Sequence, residues 1–191
     1  PVLAGVLFIV LVLAVVLIAG VIRKYSLSDE RADQMAYFGL EADDEVAVIL
    51  QNEQAELHGL LIDGQPYVNF ETVQNSLNSR FYWDANEEIL VYALPEEIVK
   101  SDETTVDEDG KKILYRDGDA VYLSLALIQK YTDVRLQAYD GEAQKRVFVE
   151  NNWDPVTVAD AAWSAKIRLR GGLKSPIVTE IKRGGTVTVL E

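Results

Sequence analysis

Two stretches of the chain, residues 63–92 and 117–149, share one pattern of apolar and polar positions. Each opens with an Asp-Gly pair between apolar, β-prone segments, which is a turn signal and predicts a hairpin. A short polar residue, Asn69 or Ser124, then precedes apolar residues at helical spacing, and such residues cap helices. Alternating apolar and polar residues follow on both sides of a second turn, and they predict a second hairpin in each stretch.

The two stretches correspond residue by residue, which indicates an internal repeat. Tyr67 corresponds to Tyr122 at a spacing of 55 positions, and Asp84 to Asp140 at a spacing of 56, so the second copy has one extra residue. A repeated unit is one supersecondary element used twice. Two hairpin–helix–hairpin units that pack through their apolar faces predict an antiparallel α+β domain over residues 45–150.

The first 22 residues contain no charged side chain and are almost entirely Val, Leu, Ile and Ala. A helix of that length rises about 30 Å, which is enough to span the hydrocarbon of a bilayer. A cleaved signal peptide is the alternative, but cleavage after Ala19 or Gly20 would put Leu17 or Ile18 where a small residue is required. We therefore interpret residues 1–22 as an uncleaved transmembrane anchor that contacts the lipid bilayer.

Two observations on the orientation of this anchor disagree. Arg23 and Lys24 follow the apolar stretch, and basic residues favour the cytoplasmic side. The chain begins with Pro1 rather than Met, so we expect preceding residues whose charge could outweigh these two. The domain predicted over residues 45–150 resembles a module of bacterial envelope proteins, and that resemblance implies the extracytoplasmic side. We expect a single-pass protein of the cell membrane with that orientation.

Residues 23–44 are polar and acidic and are interpreted as a stalk. A continuous apolar run then predicts a buried strand at residues 45–51, where the domain begins. Three apolar side chains of the stalk are expected to dock onto the domain: Met35, Tyr37 and Phe38.

Composition narrows the range of functions. The net charge is −13 and the isoelectric point about 4.5, so the surface repels phosphate backbones and nucleic-acid binding is not expected. The chain contains no cysteine, which excludes disulfides, thiolate metal sites and a cysteine nucleophile. Its one histidine, His58, is interpreted as structural, because a transition-metal site needs further ligands. We predict no cofactor and no metal site.

Three features could carry chemistry, and each has a simpler structural interpretation. Phe81, Tyr82 and Trp83 could stack on a sugar, but alternation buries Phe81 and Trp83 and leaves only Tyr82 outside. Acidic neighbours such as Glu87–Glu88 point apart, so they are interpreted as solvated rather than as glycosidase carboxylates. The acidic tip 107–109 lacks the alternating aspartates of a calcium loop and is interpreted as a solvated turn. No catalytic residue is predicted.

The last part of the chain differs from the rest in charge. Residues 151–164 contain Asn and Pro and are interpreted as a linker, with Trp153 and Trp163 expected to pack against neighbouring domains. Residues 165–191 contain six basic and two acidic residues, a net charge of +4, so the remainder has −17. This asymmetry favours contact with peptidoglycan or an anionic wall polymer. The candidate contact residues are Arg168, Arg170, Lys182 and Arg183.

The repeated unit resembles the copper amine oxidase N-terminal-like domain of bacterial envelope proteins. The resemblance covers roughly half of the chain, and the second copy has Ala138 where the first has Trp83. Such a domain implies a non-catalytic module rather than the copper-bearing part of those oxidases. The residues that carry the resemblance are Asp63, Gly64, Tyr67, Val68, Val73, Leu77, Phe81, Trp83 and Asp84 in the first copy, and Asp117, Gly118, Tyr122, Leu123 and Ile128 in the second.

Residues 165–191 alternate like short strands around Gly-rich turns and resemble the opening half of a bacterial Src-homology-three-like (SH3-like) barrel. The closing strands of such a barrel do not follow in this sequence, so we expect a partial all-β barrel and a truncated chain. The residues that carry this resemblance are Ile167, Leu169, Arg170, Ser175, Pro176, Gly184, Val187, Val189 and Leu190.

The order of anchor, amine-oxidase-like domain and SH3-like barrel resembles the N-terminal half of membrane-anchored clostridial proteins that continue into a glycoside hydrolase family eighteen domain. That resemblance implies a non-catalytic segment that tethers and positions a cell-wall-active domain. The family's catalytic D-x-x-D-x-D-x-E signature does not occur in this chain. The alternative is a sensor or scaffold ectodomain that binds another protein of an envelope complex. A copper oxidase is nearly excluded, because the chain has one histidine, no cysteine and one methionine.

Overall fold

The computed structural model describes residues 2–139, 145–153 and 157–189. These residues form a mixed α+β fold that divides into two compact units: unit 1 comprises Pro1–Ala32 and Ala161–Gly185, and unit 2 comprises Asp33–Asp160 and Thr186–Glu191. The elements are, in chain order, α1 (Val2–Tyr25), α2 (Gln34–Phe38), β1 (Glu45–Leu50), β2 (Glu53–Gln54), β3 (Gly59–Ile62), β4 (Gln65–Asn69), α3 (Phe70–Ser76), β5 (Phe81–Asp84), β6 (Ile89–Ala93), β7 (Ile98–Ser101), β8 (Leu114–Asp117), β9 (Ala120–Ser124), α4 (Leu125–Tyr131), β10 (Val134–Tyr139), β11 (Arg146–Asn151), β12 (Val158–Asp160), β13 (Ala165–Arg168), β14 (Ile177–Ile181) and β15 (Thr186–Thr188).

Helix α1 in unit 1 is 24 residues long, which corresponds to about 36 Å at 1.5 Å per residue. Its large apolar side chains from Leu7 to Ile22 are exposed in consecutive positions and therefore on every side of the helix. The predicted apolar helix is confirmed: it is long and apolar enough to span a membrane. It continues past the predicted end at residue 22 and stops at Tyr25.

The main sheet of unit 2 contains eight strands in the order β10-β11-β1-β3-β4-β9-β8, with β2 paired to β1. Strand β1 fulfils the prediction of a buried strand, since its four central residues are buried. Strands β1 and β11 pair in parallel, with Ala47 opposite Arg146, so the prediction of a purely antiparallel domain is wrong at this position. Strand β11 runs antiparallel to β10 and in the same direction as β1. Its pairing with β1 adds β10 and β11 to the main sheet.

The turns of the two first hairpins differ. In β3–β4, Asp63 and Gly64 both have positive φ angles, 50° and 74°, as a type I′ turn requires. In β8–β9, the turn residues are Gly118 and Asp119, and only Gly118 has a positive φ, 58°, which is the sign pattern of a type II′ turn. The second Asp-Gly pair is therefore shifted, because Asp117 is the last residue of β8.

Both predicted helix caps are confirmed. The side chain of Asn69 accepts a hydrogen bond from the N–H of Glu71 at 2.8 Å, and α3 begins at the next residue. The hydroxyl of Ser124 accepts one from the N–H of Leu127 at 3.2 Å, at the start of α4. Each bond satisfies a backbone donor that has no partner within its helix.

The two second hairpins lie in different sheets. Strands β5, β6 and β7 form a separate three-stranded sheet, whereas β10 and β11 extend the main sheet. Residues 63–92 and 117–149 thus have the same order of elements but different neighbours for their second hairpins. Asp140, the predicted counterpart of Asp84, lies outside the described residues.

The core of unit 2 contains apolar side chains from both residues 63–92 and residues 117–149. The Phe81 ring lies 4.7 Å from that of Tyr92 and 6.1 Å from that of Tyr131, between centroids. Burial of such aromatic rings contributes strongly to stability. The fully buried residues of this core include Val46, Val48, Val68, Val73, Phe81, Leu90, Leu114, Leu123, Ile128, Val147 and Val149.

A smaller cluster in unit 2 covers the other side of β1. Phe38 and Leu40 pack on Ala47 and Ile49, with Met35 beside them. The predicted docking is therefore confirmed for Phe38 and Met35. It is wrong for Tyr37, which is exposed because adjacent residues of the short helix α2 point in different directions.

The segment predicted as a linker contains a strand and two exposed tryptophans. Residues Val158–Asp160 form β12, which pairs with β15. Trp153 and Trp163 are 57% and 78% exposed, and their packing against neighbouring domains stays a prediction. Both lie in bends, where no strand partner holds the side chain against a sheet.

Leu190, one of the residues that carry the resemblance to an SH3-like barrel, lies outside the described residues.

Candidate functional site

The four candidate wall-contact residues lie on the β13–β14 hairpin of unit 1. Arg168 is the last residue of β13, and its Nη1 donates to the Ser175 carbonyl at 2.6 Å. Arg170 follows in the loop, where its backbone N–H donates to Ser175 Oγ at 2.9 Å. Lys182 and Arg183 come directly after β14, and both side chains are exposed.

These four residues form two pairs at opposite ends of the hairpin. The register pairs Ala165 with Ile181 at one end and Arg168 with Ile177 at the other. Three residues of extended strand span roughly 10 Å, so the pairs do not form one compact cluster. A ligand that contacts both pairs has to be an extended polyanion rather than a small anion.

Four other charged residues of unit 1 are neutralised in two ion pairs. Lys166 Nζ lies 2.6 Å from Asp29 Oδ1, and Arg31 Nη2 lies 3.1 Å from Glu180 Oε1. The hydrogen bond and positive charge of Lys166 lower the pKa of Asp29. Within the described ranges, the side chains of Arg170, Lys182 and Arg183 have no ion-pair partner, which leaves their charge available to a ligand.

A cleft of about 560 Å³ opens in unit 2 between β7 and α4. Its buried lining residues are Ser101, Ile113 and Leu127, and the partly buried Tyr131 lines it as well. Strand β7 is the last strand of its sheet, and in the described part of the chain only β6 pairs with it. The cleft therefore runs beside a strand edge with free backbone groups. Its charged lining residues are Lys100, Asp107, Glu108, Asp109 and Lys130.

The acidic tip beside this cleft forms an Asp-stabilised turn. Asp107 Oδ1 accepts hydrogen bonds from the N–H groups of Asp109 and Lys111, at 3.0 and 2.9 Å. One oxygen of this carboxylate thus completes the turn. The neighbouring carboxylates of Glu108 and Asp109 are exposed, in agreement with the interpretation as a solvated turn.

His58 lies beside Glu45 rather than in a metal site. Its Nδ1 is 3.6 Å from Glu45 Oε2, and both side chains are 24% exposed. Glu45 Oε2 also accepts the N–H groups of Glu41 and Ala42, at 2.6 and 3.2 Å. Burial alone would raise the pKa of Glu45, but the two N–H donors and His58 outweigh it and lower the pKa. The sequence did not indicate this cluster, because its members lie in separate segments.

The other candidate features are surface residues with separate partners. Glu87 lies 3.9 Å from Lys100, whereas Glu88 binds Arg116 at 2.8 Å, so these neighbouring carboxylates point apart. Tyr82 is 58% exposed and Phe81 is fully buried, as the alternation predicted. In residues 2–139, 145–153 and 157–189, no group of three or more His, Asp or Glu side chains could hold a metal ion.

Comparisons with known proteins do not assign the chain to a family: no family model, no curated protein and no solved structure matches it.

Proposed function

We propose that the chain is a non-catalytic module that α1 anchors in the cell membrane and that tethers and positions a cell-wall-active domain, of the glycoside hydrolase class, beyond residue 191. The exposed apolar helix α1 is the observation that carries this proposal. In it, residues 45–150 are a duplicated amine-oxidase-like spacer, and residues 165–191 begin an SH3-like barrel. Both stand on the extracytoplasmic side.

The charge of the two ends of the β13–β14 hairpin supports contact with the wall. The polyanions of a bacterial wall are extended, and two cationic sites roughly 10 Å apart can bind neighbouring charges of one chain. The acidic remainder of the chain is repelled by the same polymer. The hairpin would thus contact the wall polymer.

Retention of the full chain on purified cell wall tests this contact. We expect salt-sensitive retention that is lost when Arg168, Arg170, Lys182 and Arg183 are all changed to Gln. The matched control changes four exposed basic residues of unit 2 to Gln: Arg80, Lys100, Lys111 and Lys112. Equal retention of the two variants would refute the wall contact.

The β7–α4 cleft favours a second candidate function, a sensor or scaffold that binds an extended segment of another protein. An extended peptide can add a strand to a free sheet edge, and adjacent pockets then select its side chains. Lys100 is already opposed by Glu87, so the rim retains an excess of carboxylates and favours a basic segment. The partner segment would alternate apolar and basic residues.

A hexapeptide of alternating Val and Lys with a fluorescent label is a direct probe of this function. We expect saturable binding to the full chain in detergent, which Glu108→Gln with Asp109→Asn weakens. The control pair, Glu96→Gln with Glu97→Gln, removes the same charge away from the cleft. Loss of binding in both pairs alike, or no binding to the parent chain, would eliminate the cleft as a peptide site.

A further inference from the structure

The loop of residues 169–176, between β13 and β14, lies beside the end of α1. The backbone N–H of Ser28 donates to the Leu173 carbonyl at 2.8 Å. Lys174 Nζ donates to Ser26 Oγ at 3.1 Å, and that hydroxyl donates to the Arg23 carbonyl in the last turn of the helix. The loop is therefore attached to the point where the apolar helix ends.

A short stretch of strand-like pairing holds the loop in this position. Ile177, which is 2% exposed, donates its N–H to the Glu30 carbonyl and accepts the N–H of Ala32, both at 2.8 Å. Arg31 and Ile177 form a parallel bridge. The ion pairs of Asp29 with Lys166 and of Arg31 with Glu180 flank it. Residues 30–32 thus form one isolated bridge beside the hairpin.

The surface formed by the loop and the helix end is both basic and apolar. Its cations are Arg23, Lys24, Arg170 and Lys174, all with exposed side chains. Leu173 is 47% exposed between two of them, and Tyr25 at the helix end is also exposed. The nearby carboxylates of Asp29 and Glu180 are neutralised by their partners, and Glu30 is the remaining acidic residue of residues 23–32. We call the four cations and Leu173 the headgroup patch.

We infer that the headgroup patch binds the phosphates of anionic phospholipids in the leaflet where α1 ends. A helix that spans hydrocarbon and stops at Tyr25 brings the patch to the depth of the lipid headgroups, where Tyr is enriched. Long Lys and Arg side chains extend to phosphates from that depth, while Leu173 enters the apolar boundary. The inference rests on the membrane anchor of the proposed function and adds a lipid specificity to it. Arg170 is then assigned to the bilayer, and Lys182 and Arg183 at the opposite end of the hairpin remain for the wall polymer.

The absence of native cysteine allows one dye to report on the loop. Leu173→Cys is labelled with nitrobenzoxadiazole in the full chain, which is reconstituted into vesicles of phosphatidylcholine alone or with phosphatidylglycerol. A spin label on the lipid headgroup quenches the dye when the loop is bound. Each cation removed is expected to lower the ratio of bound to free loop roughly fivefold in the anionic vesicles.

Two paired variants and one insertion control decide the outcome. Arg170→Gln with Lys174→Gln should abolish the gain in quenching that phosphatidylglycerol gives, whereas Lys182→Gln with Arg183→Gln should leave it unchanged. Equal quenching in both kinds of vesicle, or equal effects of the two variants, would overturn the inference while leaving the anchor intact. A dye at Ala14→Cys that lipid spin labels in the acyl region do not quench would show that α1 does not insert, and the anchor and the inference would then both be wrong.

Discussion

The side-chain amide of Asn78 donates a hydrogen bond to the carbonyl of Tyr131 at 2.9 Å, and so joins the region after α3 to the last residue of α4. The same amide group donates to Thr132 Oγ1 at 3.0 Å, and Asn78 Oδ1 accepts the N–H of Arg80. One half-buried side chain thus connects the region after α3 with the end of α4.

Asn78→Ala should therefore destabilise unit 2 by about 1–3 kcal/mol, because the Tyr131 and Thr132 acceptors lose a donor where water has little access. Chemical denaturation of the full chain in detergent, followed by circular dichroism, measures the change. Asn86→Ala, in the exposed turn between β5 and β6, is the control and should change the free energy of unfolding by less than about 0.5 kcal/mol. Equal stabilities of the two variants would show that the bridge contributes nothing.

Phe81 and Tyr82 are neighbours in β5 with opposite environments. Phe81 is fully buried against Tyr92, so Phe81→Ala should lower the free energy of unfolding by about 3–5 kcal/mol. Tyr82 is exposed, and Tyr82→Ala should be nearly neutral. The same denaturation experiment compares them, and a larger loss for Tyr82→Ala would mean that β5 has the opposite face toward the core.

Gly59 in β3 lies closer to a neighbouring strand than any other residue type allows. A Cβ at this position would lie 2.4 Å from the Tyr67 carbonyl oxygen and 3.0 Å from a methyl group of Val46. Gly59→Ala should therefore destabilise the chain by about 1–3 kcal/mol, because β3 has to move away from β4. Gly171→Ala, where a Cβ meets nothing within 4 Å, is the control. A fully stable Gly59→Ala chain would contradict the pairing of β3 with β4.

The Glu45 carboxylate should make stability depend on pH. Its pKa is lower in the folded chain than the usual 4.5, so its contribution is present above pH 4.5 and is lost as the pH falls through the folded-state pKa. Glu45→Gln should lower the free energy of unfolding by about 1 kcal/mol at pH 7, since charge-assisted hydrogen bonds become neutral ones. The difference from the parent chain should shrink below pH 4.5.

Thermal melts of Glu45→Gln and of the parent chain, at pH 7 and at a pH below 4.5, check this dependence. The exposed carboxylate of Glu56 provides the comparison, and Glu56→Gln should change stability little at either pH. If Glu45→Gln lowers the free energy of unfolding equally at neutral and at acidic pH, the cause is packing rather than ionisation.

The local elements of unit 2 could be predicted from the sequence because their causes are local. Turns at Asp63–Gly64 and caps at Asn69 and Ser124 depend on side chains within a few residues of the backbone groups that they serve. Alternation assigned Phe81 to the core and Tyr82 to the surface for the same reason.

Contacts between distant segments could not be predicted in this way. The parallel pairing of β1 with β11 depends on which edge of a hairpin is free, and the sequence pattern within either strand does not predict it. Residues 26–32 have no apolar alternation, yet they pair with Ile177 because the hairpin offers them an open edge. Composition identified the basic residues of unit 1, but it could not separate Arg170 at the loop from Lys182 and Arg183 at the opposite end.

The side of the membrane on which unit 2 lies tests the account most directly. With no native cysteine in the chain, Glu108→Cys in the exposed tip can be labelled alone in living cells by a maleimide that does not cross membranes. A membrane-anchored extracytoplasmic module predicts the same extent of labelling in intact cells as after lysis. Labelling that occurs only after the membrane is broken would contradict it.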